Sequence, residues 1–319
     1  MPTTGSRELS VFLDGLIAGD SVAASSLPLL SDIGRDDARQ LHATWLEIPD
    51  ETRLAVMARA LELCEDNVDL EFTSLAKVAL SDPIADIRRR AAEALWESPG
   101  REVAEALSSA LRGDSDEDVR AAAAAALRQF VVLREFDQIS ASEGDPVVDA
   151  LRATVEDEDE AVVARAAALE SLGARGLPWV AELIGNAYID DDRRIRIAAV
   201  HAMGESADER WLDYLHEQFY SDDAEFRFEA VEAVGNIASE DSVEPLLPLL
   251  EDDDSHVILA AVAALGEISG EEAVAALKAF AERAPEGMEL AVADALEVAQ
   301  DTAAGPREED DDDEEFDEE

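Results

Sequence analysis

The chain is 319 residues long and carries 76 acidic against 25 basic residues, a formal net charge of −51. Such a charge excludes nucleic acid and anionic membranes as partners, because the phosphate attraction that dominates those affinities becomes repulsion. The single cysteine, Cys64, excludes a disulfide framework and a cysteine-based zinc site, and its place among periodic apolar residues predicts a buried structural thiol.

From the N-terminus, Met1–Ser10 lacks a basic segment followed by an apolar run, and no apolar stretch of membrane-spanning length occurs in the chain. No signal peptide and no membrane span are therefore expected, and the chain reads as cytoplasmic. Residues 1–80 are loosely patterned, with helical segments near 51–64 and 68–80 and a partial motif at Ala38-Arg39…Leu46. They are expected to be degenerate helical repeats that cap the N-terminal end, since an end unit must expose a polar outer face.

From residue 81 one phrase recurs: an apolar residue, usually an Arg after it, an Ala at the fourth position and an apolar residue at the eighth. Its copies begin at Ile87, Val119, Ala164, Ile195, Phe226 and Val257, at spacings of 32, 45, 31, 31 and 31 residues. A fixed period near 31 means units that bury their apolar faces only against their neighbours, which is a solenoid. The phrase follows the 3.6-residue period and forms the second helix of each unit. A preceding apolar segment such as Val103–Leu111 or Trp211–Tyr220 forms the first helix. The constant Ala predicts a close helix crossing. Gly173, Gly204, Gly235 and Gly266, directly after four copies, predict left-handed helix caps.

The 45-residue step holds an insertion around residues 134–146, read either as a lengthened helix end or as a protrusion that meets a partner. Farther along, Trp211, Tyr214, Phe219, Tyr220, Phe226 and Phe228 cluster in an aromatic-poor chain. They fill the core between two repeats or, in the sharper reading, Trp211, Tyr214 and Phe228 form a partner surface. Met288–Leu296 repeats the pattern with Glu289 in place of the Arg and is expected to cap the regular array, which spans 81–300. Residues 301–319 end in a run of eleven acidic residues and one Arg, too densely charged to collapse, and are expected to be a disordered tail. Without that run the chain still carries −41, so the repeats themselves are acidic.

The phrase, with an Asp five residues before it and Gly after it, resembles the HEAT repeat, in particular the short form of phycobilisome-lyase-type proteins. The resemblance implies an all-α, right-handed α-solenoid of about eight two-helix repeats. It also implies a ladder between repeats, in which Arg88, Arg120, Arg165, Arg196 and Arg227 bond to Asp82, Asp114, Asp159, Asp190 and Asp252. Relatives of this kind include scaffolds and adaptors, bilin lyases and a di-iron hydroxylase. Two irons require several nitrogen and oxygen ligands, and His216-Glu217 is the one His-Glu dipeptide here, so no metal, cofactor or catalytic residue is expected. The resulting expectation is a non-catalytic scaffold that holds a protein partner, a basic one given the charge, on the concave face lined by second helices. The enzyme-associated lyase-like or hydroxylase-like role is the alternative.

Overall fold

A computed structural model describes residues 4–67 and 69–304, and the acidic run from residue 305 lies outside them. Every regular element among the described residues is helical. In chain order the α-helices are α1 (Thr4–Ile17), α2 (Arg35–Thr44), α3 (Asp50–Asp66), α4 (Thr73–Ala79), α5 (Ala85–Glu93) and α6 (Arg101–Gly113). They continue as α7 (Glu117–Glu135), α8 (Ala141–Glu156), α9 (Val162–Leu172), α10 (Pro178–Tyr188), α11 (Arg193–Glu205) and α12 (Leu212–Gln218). The last are α13 (Ala224–Ile237), α14 (Val243–Leu246), α15 (Ser255–Ile268), α16 (Gly270–Ala281) and α17 (Glu289–Ala304), so α17 extends four residues into the segment expected to be a tail. The fold is an all-α solenoid of paired helices. It divides into two compact units, one ending at Ala202 and the other beginning at Met203.

In the first unit α3, α5, α7 and α9 pack successively side by side, and in the second α13, α15 and α17 do the same. The phrase explains this stacking. Its Ala at the fourth position (Ala91, Ala123, Ala168, Ala199, Ala230 and Ala261) is 0% exposed in all six copies. So is its apolar residue at the eighth: Leu95, Leu127, Leu172, Met203, Val234 and Leu265. A methyl group at the crossing lets backbones approach, and the branched side chains one turn later fill the layer between units.

The glycines after the phrase serve that approach and are not the left-handed caps the sequence suggested. Gly173 is right-handed helical at φ −50°. A Cβ on Gly204 would stand 2.5 Å from Ala233 Cα, and one on Gly266 would stand 3.1 Å from Ala295 Cα. Each lies in the next second helix, which therefore packs onto bare backbone. The left-handed residues come three positions later, at Ala207, Ala238 and Ser269, with φ of 46°, 54° and 61°. At Ala207 and Ala238 the chain turns without a glycine, whereas at Ser269 the next residue, Gly270, shares the turn at φ 82°.

The insertion is taken up largely as helix. It extends α7 to Glu135 and places a tight turn before α8, whose start is closed by a capping box between Ser140 and Glu143. Arg134 ties the turn together by ion pairs to Asp137 at 2.8 Å and Asp145 at 2.9 Å, and its side chain covers Gly144. Only Phe136, 70% exposed, stands out from it as a large apolar side chain. Cys64 is half-buried near the end of α3.

Candidate functional site

The turn between the two helices of a unit uses its acids for two separate tasks. The first acid accepts the amide two residues on: Ile84 to Asp82, Asp116 to Asp114, Asp192 to Asp190 and Asp254 to Asp252, at 2.8–3.0 Å. The third caps the second helix, as Asp116, Asp223 and Asp254 do for α7, α13 and α15. The first acid's remaining lone pairs face the preceding unit, where an Arg waits.

That Arg is held by its own turn and reaches forward. Arg88 donates to the Asp82 carbonyl at 2.8 Å and grips both oxygens of Asp114 at 2.7 Å. Arg227 repeats the arrangement with the Ser221 carbonyl at 2.8 Å and Asp252 at 2.8 and 2.7 Å. The hydrogen bonds from Arg88 hold Asp114 below the usual carboxylate range. At Asp252 burial opposes ionisation, yet the Arg227 guanidinium still brings the pKa down. The same pattern begins one unit earlier than the phrase showed. Buried Arg53 bonds to Asp82 at 2.7 Å and to the Ile48 carbonyl at 2.6 Å, with Trp45 Nε1 donating to the same carboxylate. Arg39, which the sequence placed in the partial motif, instead pairs with Asp36 on the exposed surface of α2.

Two expected rungs differ, and a third, at Arg196, uses turn carbonyls. Arg120 bonds to Glu160 at 2.6 Å, not to Asp159, which is exposed. The turn after the insertion runs from Asp157 to Ala161 and takes Asp157 as its first acid, so the longer side chain of Glu160 arrives beside Arg120. Arg165 donates to the Val155 carbonyl at 3.3 Å, and among the described residues no bond joins it to Asp190. Arg196 donates to the Asp190 and Asp191 carbonyls of its own turn. Apart from the exposed Asp159, the residues of the expected ladder are thus occupied at the turns, which leaves other positions for a partner.

Of the aromatic cluster, Trp211 is 6% exposed and belongs to the interior, so it offers no surface to a partner. Its ring meets Tyr214 edge-on at 5.7 Å, and Tyr214 is 45% exposed. Phe219 and Phe226 are buried, Tyr220 is exposed, and Phe228 is half-buried on the open side of α13.

Phe228 leads to a feature that the sequence reading passed over. Counting the first residue of the phrase as zero, Phe228 occupies position 2, and the same position in the next two units holds Leu259 and Leu290. Leu259 is 38% and Leu290 73% exposed, on helices packed side by side. A large apolar side chain thus stands at one register of α13, α15 and α17, half-buried in the first and exposed in the other two. On one side Ala224, Glu225, Phe228, Asp254 and His256 line a shallow hollow of about 290 Å³. On the other, position 6 holds Glu232, Ala263 and Asp294, all exposed. The signal was present as a second 31-residue period, offset by two from the conspicuous one.

Charge is concentrated in the same unit. Residues 1–202 hold 39 acidic and 20 basic residues, whereas residues 203–304 hold 26 and four. The density of net negative charge roughly doubles where the apolar row lies.

His216 is committed elsewhere: its Nε2 lies 3.0 Å from the Ser242 hydroxyl, its ring packs on Phe219, and burial lowers its pKa. Among the described residues no three His, Cys, Asp or Glu side chains converge as a metal site would require, and no helix is long and apolar enough to cross a membrane.

The family model for HEAT repeats matches residues 72–168, 148–227 and 212–297, well over half of the chain. Yeast importin-beta is similar in fold, with a TM-score of 0.50 and 15% identity over 93% of this chain and 48% of that one. Human deoxyhypusine hydroxylase superposes at a TM-score of 0.36 and 17% identity, covering 83% of this chain and 96% of its own. For the complex of CpcE and CpcF of phycocyanin lyase from Nostoc sp. the values are 0.46, 19%, 71% and 94%. No curated protein matches by sequence. With its second helices stacked within each unit and its turns joined by Arg and carboxylate, the chain belongs to the HEAT-repeat family.

Proposed function

We propose that this protein is a non-catalytic scaffold that holds a basic protein on the open side of its second helices, within residues 203–304. The observation that carries the reading is the apolar row at Phe228, Leu259 and Leu290, bordered by Glu232 and Asp294 on one side and by Glu225 and Asp254 on the other. Apolar anchors inside a charged rim give affinity and orientation together. The surplus of 26 acidic over four basic residues steers a cationic partner toward that face and repels anionic ones. Tyr214, half exposed, adds an aromatic edge in the same unit.

Affinity purification with the full chain tests this directly. A single stoichiometric basic protein should be retained at low salt and released as salt rises. The triple variant Glu225→Lys, Glu232→Lys, Asp294→Lys should lose it while still unfolding cooperatively. Retention by the charge-reversed variant would overturn the assignment of the face. Purified protein carrying iron or a bilin would overturn the non-catalytic reading.

A further inference from the structure

We propose that the face formed by α13, α15 and α17 takes a basic amphipathic α-helix laid across the three helices, with apolar residues seven apart seated on Phe228, Leu259 and Leu290. This rests on the protein-binding reading above and names the form of the partner.

Spacing selects the helix. Helices packed side by side lie about 8–10 Å apart, so the three anchors recur at about that interval along a line crossing them. A helix rises about 1.5 Å per residue, and residues seven apart stand on one face about 10.5 Å from each other. One apolar residue in each of three successive heptads therefore meets one anchor in each of three successive repeats. Acidic flanks fix what stands beside them. The row at position 6 lies one helical turn, about 5–6 Å, from the anchors, within reach of Lys or Arg beside the apolar stripe of a partner helix. On the opposite side Glu225 and Asp254 border the hollow next to Phe228 and face the other basic flank.

Backbone chemistry points the same way. A partner in extended form would set unpaired amides against three large apolar side chains, a costly burial that a helix avoids by bonding its own backbone. The alanines of the phrase are 0% exposed and hold the units together, whereas Leu259 and Leu290 remain 38% and 73% exposed. Those leucines therefore contribute free apolar surface beyond what stacking uses.

Three labelled peptides of equal composition and charge test this by fluorescence anisotropy with the full chain at about 0.15 M salt, where surface attraction is already partly screened. One carries Leu at heptad spacing among Lys and Arg, one is scrambled, and one keeps the spacing but is interrupted by proline. The heptad peptide should bind at least about ten-fold more tightly than the other two. Leu259→Asp and, separately, Leu290→Asp should abolish that preference without changing the binding of the scrambled peptide. Thermal unfolding confirms that each variant is folded, and Leu290, at the more exposed site, serves if Leu259→Asp is not. Equal binding of heptad and scrambled peptides overturns the apolar row while leaving a charge-driven scaffold. Equal binding of the proline peptide overturns the helix. Failure of all three to bind, even at low salt, overturns the basic-partner reading as well.

Discussion

Replacing Arg227 by Ala probes what joins the second-unit repeats. The substitution removes two hydrogen bonds to Asp252, at 2.8 and 2.7 Å, one to the Ser221 carbonyl at 2.8 Å and one to the exposed Asp253 at 3.0 Å. The Arg227 and Asp252 side chains are only 11% and 7% exposed, so water cannot fully replace the lost partner. Hydrogen bonds to charged groups contribute about 1.5–3 kcal/mol each, and breaking a buried pair costs about 3–5 kcal/mol. Asp252 keeps the Asp254 amide as a donor and lies at the rim of burial, which places the expected loss near the lower bound, about 3 kcal/mol. At roughly 2–4 °C per kcal/mol for a body of this size, the melting temperature followed by circular dichroism should fall by about 6–12 °C. Arg227→Lys keeps a charge but cannot grip both oxygens and should lose about half as much. Adding Asp252→Asn to Arg227→Ala should restore part of the loss, because the stranded charge is gone. A fall of less than about 2 °C for Arg227→Ala, or strictly additive effects in the double variant, would refute the assignment of this pair as a structural joint.

Gly204→Ala places a methyl group 2.5 Å from the Ala233 Cα, which is backbone and cannot rotate away, so stability should drop by about 1–3 kcal/mol in thermal unfolding. Ala238→Gly acts in the opposite sense: at φ 54° the Cβ is strained, and its removal should stabilise the fold by about 0.5–1 kcal/mol after the entropy cost of glycine. Asp114 and Asp252 have lowered pKa values in the fold, so their contribution is complete above the unfolded value of about 3.9 and disappears as pH falls through the folded values. Acid titration should accordingly show stability falling below about pH 4, and Asp252→Asn should flatten that fall. Self-repulsion at −51 should make the melting temperature climb with added KCl, and a flat salt response would remove repulsion as a significant term.

Much of the fold was legible because stacking imposes a strict period on what it buries. Ala230 and Val234 recur at 31 residues as Ala261 and Leu265, and Ala91 and Leu95 at 32 as Ala123 and Leu127, since each must meet a similar surface of its neighbour. The ladder was readable only where the turn keeps its length. At Arg120 a five-residue turn replaces a three-residue one, and Glu160 supplants Asp159. Arg53 escaped notice because its phrase has drifted from the consensus while its geometry has not. The glycines misled because a residue without a side chain suits both a left-handed cap and a close crossing, and sequence carries no distance with which to choose. Leu259 and Leu290 were invisible for a related reason: an exposed apolar residue on a helix looks like a core residue until the packed side is known.

The division between joint and surface follows from arithmetic on one helix. Positions 0, 4 and 8 of the phrase are consumed by packing, and the Arg at position 1 belongs to the turn. Position 9, where it holds glycine, admits the next backbone. Position 2 varies from copy to copy: it is buried at Ala121, Ala166 and Ile197 and open at Leu259 and Leu290, while position 6 is exposed at Ala125, Glu232, Ala263 and Asp294. In α7 they are Ala121 and Ala125, and in α9 they are Ala166 and Glu170. Only in α13, α15 and α17 does position 2 carry a large apolar side chain that stays at least partly in solvent, and there the acidic excess is also greatest. That open apolar row, confined to residues 203–304 and bordered by acidic side chains, is what the proposed partner face rests on.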